Sequence, residues 1–395
     1  MLNKKTVRDI SVKSKRVLLR CDLNVPLAKD DKNKITSDKR IVESLKTINY
    51  LISAGAKVVI CSHLGKTGQN LSLAPVAKRL SELLEKDVPL IKDIFSKEAK
   101  EIVKNMQPGD VVLLENTRMY EEEEQNDEKF AKKLASFGQI FVNDAFGSAH
   151  RAHASTVGVT KYLPSVAGFL IEKELNALDK GINDPVRPLV AILGGAKVSS
   201  KIGVINELLK KVDTLIIGGA MTYTFVKAMG GKVGSSLVED DKIKVAKKVM
   251  ETAKKKNVKL ILPVDNIISR SDSDASDVKI APIDDIPDGY MGVDIGPKTI
   301  LLFEKELKGA KTVVWNGPLG IFEVPEFANG TMSIVNAIAS MDVISIIGGG
   351  DSAAAVEKSG LEKNMTHVST GGGASLEFLE GKTLPGIAAL ADKEN

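Results

Sequence analysis

Short apolar runs recur along this chain, each released into a polar or glycine-rich turn and each followed by a segment of helical spacing. This alternation constrains the fold more than any other feature. Val17-Leu18-Leu19, Val58-Val59-Ile60, Val111-Val112-Leu113-Leu114 and Ile140-Phe141-Val142 are apolar on consecutive positions. Strands buried on both faces read this way, whereas half-solvated antiparallel strands alternate. Between the runs, 37–54 has apolar residues at helical spacing (Ile41, Leu45, Ile48, Leu51, Ile52) and stops at Gly55; a second helical pattern covers about 74–84. The expected class is α/β, a mainly parallel sheet covered by helices on both faces. On such sheets ligands bind beyond the carboxyl ends of the strands.

At 395 residues the chain is long for one core, so two domains are expected. The spacing of Val166, Phe169, Leu170, Leu175 and Leu178 predicts one long amphipathic helix over 165–182, ending near Gly181. Asn183-Asp184-Pro185-Val186-Arg187-Pro188 then marks a boundary. Strand runs resume at Leu189, so the helix reads as a connector between two domains.

The strand ends of the first half carry Asp22 and Asn24, His63 and Lys66, Arg118, and Arg151 with His153, while Arg40 opens the first helix. Cationic and imidazole groups gathered at one sheet edge predict a pocket for a small polyanion, phosphate plus carboxylate, because arginine offers either a two-pronged grip. Asp22 and Asn24 would bind hydroxyl groups. The acidic run Glu121-Glu122-Glu123-Glu124 reads as a solvated face without chemistry. In the second half glycines and small residues replace the charges: Gly218-Gly219, Asn316-Gly317-Pro318 and Gly348-Gly349-Gly350-Asp351-Ser352 follow strand runs. Glycine-lined turns suit a flat base, a ribose and a phosphate tail.

Pro188 to Lys201 combines a buried strand, the Gly194-Gly195 turn and a helix-compatible segment. On a helix, Lys197 and Lys201 would lie one turn apart on one face, beside the positive end of the dipole. Asp351 is placed to ligand Mg²⁺ directly or through water, or to cap the following helix. Gly65-Lys66-Thr67 resembles the end of a Walker A loop, but Ile60 stands where its first glycine is required. Gly348-x-Gly350-x-x-Ala353 formally fits a dinucleotide fingerprint, yet no acidic residue ends a following strand at the right distance.

Net charge is +4, no basic block is interleaved with aromatics, and there is one Trp, which speaks against nucleic acid as a partner. No apolar stretch is long enough to span a bilayer and no secretory signal is evident. Cys21 and Cys61 lie in apolar runs and read as buried reduced thiols of a cytoplasmic protein.

Taken together, 20–26 (Arg-Cys-Asp-Leu-Asn-Val-Pro), Ser62-His63-Leu64-Gly65, Glu115-Asn116-Thr117-Arg118, Ala149-His150-Arg151-Ala152-His153, Gly194-Gly195-Ala196-Lys197-Val198, Trp315-Asn316-Gly317-Pro318 and Gly348-Gly349-Gly350-Asp351-Ser352 resemble the phosphoglycerate kinase family, in family order from near 16 to near 386. The resemblance implies two Rossmann-like lobes, 1–168 plus 382–395 for phosphoglycerate and 184–381 for nucleotide, with a helix hinge at 169–183. It implies phosphoryl transfer between 1,3-bisphosphoglycerate and ADP, giving 3-phosphoglycerate and ATP, with Mg²⁺, by a cytoplasmic monomer. By similarity Asp22, Asn24, Arg40, His63, Lys66, Arg118 and Arg151 hold the glycerate. Lys201, Gly219, Gly292, Asn316, Glu323, Gly349, Gly350, Asp351 and Ser352 hold the nucleotide, Asp351 also the metal, and Arg40 and Lys197 meet the phosphoryl group. Two positions depart from the family: Lys66, where Arg is more common, and Ser200, where Asp is common. A sugar-phosphate or nucleotide binding protein without activity, and a nicotinamide oxidoreductase, are the rival expectations.

Overall fold

A computed structural model describes residues 3–393. The chain divides into two compact units, one running to Asn176 and taking in the segment from Thr383, the other Ala177–Lys382.

In the first unit, strands β1 (Arg16–Arg20), β2 (Lys57–Cys61), β3 (Leu90–Ile91), β4 (Val111–Leu114), β5 (Ile140–Asn143) and β6 (Ser165–Ala167) form one sheet in the order β3-β4-β2-β1-β5-β6. Every pairing is parallel. Val17, Leu19, Val58, Ile60 and Val142 have no solvent exposure, as consecutive apolar strand residues require when helices cover the sheet. The helices are α1 (Lys39–Ser53), α2 (Ala74–Leu84), α3 (Lys97–Asn105) and α4 (Glu128–Ala135). Local chemistry sets their starts. Pro75 occupies the first turn of α2, the Ser96 hydroxyl accepts from Ala99 N–H (3.0 Å) on α3, and the Asp127 carboxylate accepts from Phe130 N–H (2.8 Å) on α4. From β1 the chain winds outward through β2 to β4 and β3, then returns to the other side of β1 as β5. The winding therefore reverses between β1 and β5, where a doubly wound sheet opens a crevice.

The single helix expected over 165–182 is corrected. Ser165–Ala167 is strand β6, paired with β5, and α5 is Phe169–Ile182. A run as short as Ser-Val-Ala fits either period, and tertiary pairing decides. Gly168 makes the corner: a Cβ there would lie 2.1 Å from Asp144 Oδ1, while Phe169 and Leu170 donate their N–H groups to Thr47 Oγ1 (3.0 Å) and Asp144 Oδ1 (2.8 Å). Helix α5 carries the chain from one unit into the other.

The second unit repeats the plan. Strands β7 (Leu189–Leu193) and β8 (Thr214–Ile217) are followed by β9 (Lys232–Val233), β10 (Lys259–Ile261), β11 (Asp265–Ser269), β12 (Lys279–Pro282), β13 (Asp285–Ile286), β14 (Met291–Ile295), β15 (Thr312–Asn316), β16 (Ile344–Gly348) and β17 (His367–Val368). The main sheet, β10-β8-β7-β15-β16-β17, is parallel, with its reversal between β7 and β15. A three-stranded antiparallel sheet, β12-β11-β14, and the pair β13-β9 are added to it. Helices α6 (Ile202–Leu208), α7 (Thr222–Ala228), α8 (Ile243–Lys255), α9 (Pro297–Leu307), α10 (Asn329–Ala339), α11 (Gly350–Ser359) and α12 (Gly372–Leu379) complete the unit. Trp315 is fully buried in its core, among residues that include Ile192, Ile216, Phe303 and Ile347. Among the described residues no helix is long and apolar enough to cross a membrane.

Candidate active site

The parallel register of β1 with β2 and β5 sets Arg20, Cys61 and Asn143 side by side, so the residues that follow leave the sheet at one level. Asp22 and Asn24 follow β1, His63 and Lys66 follow β2, Arg118 follows β4 and Arg151 follows β5. Arg40 lies in the first turn of α1 and pairs with Asp22 (Nη1–Oδ1 2.7 Å). Burial alone would raise the Asp22 carboxyl, but the guanidinium groups of Arg40 and Arg20 outweigh it and hold the group well below the usual carboxylate range. Asp22 is thus an anion. Asn24 Oδ1 accepts from Gly65 N–H (2.8 Å), and Arg118 donates through Nη1 to Gly65 O (2.5 Å), so the loop after β2 is tied on both sides. Arg118 also pairs with Glu124 (Nε–Oε1 3.2 Å). Lys66 and Arg151 are exposed.

His63 is buried, and burial together with Arg20, Arg118 and Arg40 pushes its pKa well below the ordinary imidazole value, against the pull of Asp22. At neutral pH it is uncharged. Arg20 Nη2 lies 3.0 Å from His63 Nδ1. A guanidinium can only donate, so Nδ1 accepts and the ring proton resides on Nε2. His153, lowered to about 4 by burial, then by Arg118 and Arg20, is likewise neutral.

The acidic run is corrected at one position. Glu121, Glu122 and Glu124 are exposed, but Glu123 is fully buried and accepts from Ser155 N–H (3.0 Å) and Ser155 Oγ–H (2.5 Å). Nothing in four consecutive glutamates distinguishes the third. Only the turn Glu121–Glu123, which packs that side chain inward, does so.

In the second unit the site is built by close backbone approach. Gly194 leaves β7 and Gly317 leaves β15, on either side of the reversal. A Cβ on Gly194 would lie 2.0 Å from Pro318 O, and one on Gly219 would lie 2.6 Å from Gly195 N, with Gly219 itself at φ +70°. Beside this approach Gly195, Gly219, Gly292 and Gly320 wall a cavity of about 310 Å³ that also takes in Glu323 and Asp351. Gly349 precedes α11 at φ +89° with no side chain capping the helix, so its first N–H groups are left for an anion. Gly350, Asp351 and Ser352 form the first turn of α11; Ser352 Oγ accepts from Gly317 N–H (2.6 Å). Asp351 is therefore not the cap of this helix but an exposed carboxylate on its first turn.

The lysine pair is also corrected. Residues 194–201 form a turn and α6 starts only at Ile202, so Lys197 and Lys201 share no helical face. Two hydrogen bonds hold this stretch in a turn: Lys201 N–H donates to Val198 O (2.9 Å) and Ser200 Oγ–H to Lys197 O (2.8 Å). Lys201 reaches across to donate to Asn316 Oδ1, while Asn316 Nδ2 is buried with no partner. Burial lowers the Lys201 pKa, with Asp351 and Glu380 opposing. Lys197 is exposed. Among the described residues no cluster of His, Cys, Asp or Glu could enclose a metal ion alone.

The family model for phosphoglycerate kinase matches residues 7–382. The chain is 58% identical over 398 residues to the phosphoglycerate kinase of Clostridium tetani (99% of this chain, 98% of that one) and 59% identical over 400 residues to that of Clostridium novyi (99% and 100%). Among solved structures it is similar to phosphoglycerate kinase from Coxiella burnetii, with a TM-score of 0.88 and 43% identity over 98% of both chains. With that from Pyrococcus horikoshii the TM-score is 0.85 and the identity 35%, again over 98% of both. The matches run through both sheets and both sets of strand ends, and the chain belongs to the phosphoglycerate kinase family.

Proposed function

We propose that this chain performs the glycolytic phosphoryl transfer of its family, from 1,3-bisphosphoglycerate to ADP, giving 3-phosphoglycerate and ATP. The observation that carries the reading is the pairing of two unlike sites on one chain. Cationic and imidazole groups stand at the strand ends of the first sheet, and a glycine-walled cavity lies beside the start of α11 in the second.

Asp22, Asn24, Arg40, His63, Lys66, Arg118 and Arg151 take phosphoglycerate. The guanidinium groups grip carboxylate and phosphate, and the Asp22 anion suits a substrate hydroxyl. Lys201, Gly219, Gly292, Asn316, Glu323, Gly349, Gly350, Asp351 and Ser352 take the nucleotide. The unpartnered Asn316 Nδ2 and the open start of α11 offer donors to phosphate, and the exposed Glu323 carboxylate offers acceptors to ribose hydroxyls. Phosphoryl transfer needs in-line positioning and positive charge more than covalent help. Arg40 and Lys197 are proposed to supply that charge.

A single exposed carboxylate beside a phosphate site fits Mg²⁺, which keeps several waters and binds through one or two carboxylates plus substrate phosphates. Asp351 would hold it, and the ion, when bound, would neutralise charge on the phosphate oxygens. Transfer also requires both ligands to be brought in line with water excluded, so α5 is proposed as part of a closing hinge. We read the enzyme as a cytoplasmic monomer.

The test is ATP formation from ADP and 1,3-bisphosphoglycerate, with Mg²⁺ and with excess chelator. ATP should appear only with the metal. Binding of both ligands without ATP would instead make this a binding protein.

A further inference from the structure

Arg20 is a buried cation at the end of β1, only 1% exposed, and its three nitrogens are all committed. Nη1 donates to Cys21 O, Nε donates to Ser155 Oγ (2.7 Å), and Nη2 meets His63 Nδ1 (3.0 Å). Ser155 can accept from Arg20 in this direction because its own proton is spent on Glu123 Oε1 (2.5 Å). Glu123 is anchored in turn by Ser155 N–H (3.0 Å), and its own carbonyl accepts from Ala154 N–H (2.9 Å). Glu123 and Ser155 have no solvent exposure and His63 only 4%. The four side chains come from the end of β1 and from the connections that follow β2, β4 and β5, and they form one buried row behind the charged rim of the first unit.

Each member constrains the next. A carboxylate can only accept, so the Ser155 hydroxyl must point at Glu123 and present its lone pair to Arg20. A buried guanidinium needs a nearby negative charge, and Glu123 is the carboxylate this row supplies. Fixed at Nε and Nη1, the guanidinium holds Nη2–H towards His63 Nδ1. The imidazole proton is left on Nε2, the nitrogen not engaged by Arg20. A neutral imidazole with a fixed N–H is a donor suited to a carboxylate or phosphate oxygen, whereas the opposite tautomer would present a lone pair to that anion and repel it.

We propose that Glu123, acting through Ser155 and Arg20, is a positioning residue that locks His63 in its Nε2–H tautomer for phosphoglycerate binding. This rests on the reading of His63 as a phosphoglycerate contact.

The test uses full-length Ser155→Ala and Glu123→Gln, with His63→Gln as control. Steady-state kinetics are measured for both substrates, with ¹⁵N spectra of the four histidines. In wild type, His63 should show an unprotonated Nδ1 and a protonated Nε2. In both relay variants its tautomers should mix, and KM for 3-phosphoglycerate should rise about tenfold, the scale of one lost hydrogen bond to a charged group. KM for ATP should stay unchanged. A purely structural role would lower Tm but leave the His63 spectrum and the phosphoglycerate KM of the folded variants at wild type, and that result overturns the proposal. If Glu123→Gln does not fold, Ser155→Ala decides by the same criteria. The two readings separate cleanly. An unchanged phosphoglycerate KM in His63→Gln overturns the substrate assignment of His63. A raised KM there, with wild-type behaviour in Ser155→Ala, overturns the relay alone.

Discussion

The two units share one winding plan and use it for opposite chemistry. Each reverses its strand order beside its first strand, β1 in one and β7 in the other, and each carries most of its candidate residues beyond the strand ends of that sheet. In the first unit the residues leaving the strands are long and charged, and several are buried to be held in place: Arg118 is 7% exposed, His63 4% and Asp22 8%. In the second they are glycines whose missing Cβ atoms create the room, and the charged members Lys197, Glu323 and Asp351 are exposed. The fold thus chooses where a ligand sits. On the proposed assignment, the residue type at the strand end chooses what it is: fixed charges for a small polyanion, free backbone N–H groups and space for a nucleotide.

That comparison can be broken. Lys197→Ala should have the largest effect, a fall in kcat of about 10²–10³-fold with little change in KM for ATP, if its contact is made, as proposed, to the phosphoryl group in the transition state. A mutant that lost only nucleotide affinity in steady-state assays would remove Lys197 from the reaction.

Next come two variants that should mirror one another. Arg118→Ala should raise KM for 3-phosphoglycerate about 10- to 100-fold and spare ATP, since a charge-assisted hydrogen bond is lost. Gly219→Ala should do the reverse, weakening ATP and sparing phosphoglycerate, because a Cβ at φ +70° and 2.6 Å from Gly195 N forces the turn to shift. Isothermal titration of each ligand against each variant reads both. Equal losses for both ligands in either variant would contradict the separation of the two sites.

A smaller effect concerns stability. Asp144 in the first unit and Asp294 in the second are buried acids whose hydrogen bonds come from neutral groups. Burial raises Asp294 to about 7 and Asp144 to about 6, partly opposed by the hydrogen bonds each accepts. Unfolded, both titrate near 3.8. Between those limits the native state keeps a proton that the unfolded chain has lost, so the contribution of these two acids to stability falls as pH rises from about 4 towards 7 and is level above, while the buried neutral His63 and His153 contribute in the opposite sense below the ordinary imidazole range. Asp294→Asn should flatten part of that slope, on the order of a few kcal/mol across the interval, as read by denaturant unfolding at several pH values. An unaltered slope would show that Asp294 does not titrate in this range.

The smallest effect is expected at Lys66→Arg. On the proposed assignment the exposed ammonium would give a point contact where a guanidinium could give two, so KM for 3-phosphoglycerate should fall about two- to threefold. No change would mean that this side chain stays in solvent when substrate binds.

Much of this was legible in the chain. Consecutive apolar residues at 17–19, 58–60, 111–114 and 140–142 can be buried only between two helical layers, so the parallel α/β class follows from pattern alone. The charged strand ends follow too, because charge is a property of residue type and the period places every strand end on one edge. What failed was local. Ser165–Ala167 fits a helical or a strand period equally well, and its pairing with β5 settled it. The stretch 197–201 was compatible with a helix, yet hydrogen bonds from Lys201 N–H and Ser200 Oγ keep it in a turn.

The sequence by itself determined the class, the two-part organisation and the kind of charge at each strand end, since all three depend on periodicity and residue chemistry. Tertiary structure alone decided that Glu123, among four identical neighbours, is buried, that His63 is neutral with its proton on Nε2, and that Gly195, Gly219, Gly292 and Gly320 wall one cavity. Burial, tautomer and close approach depend on which distant residue lies within about 3 Å, and no local pattern encodes that distance.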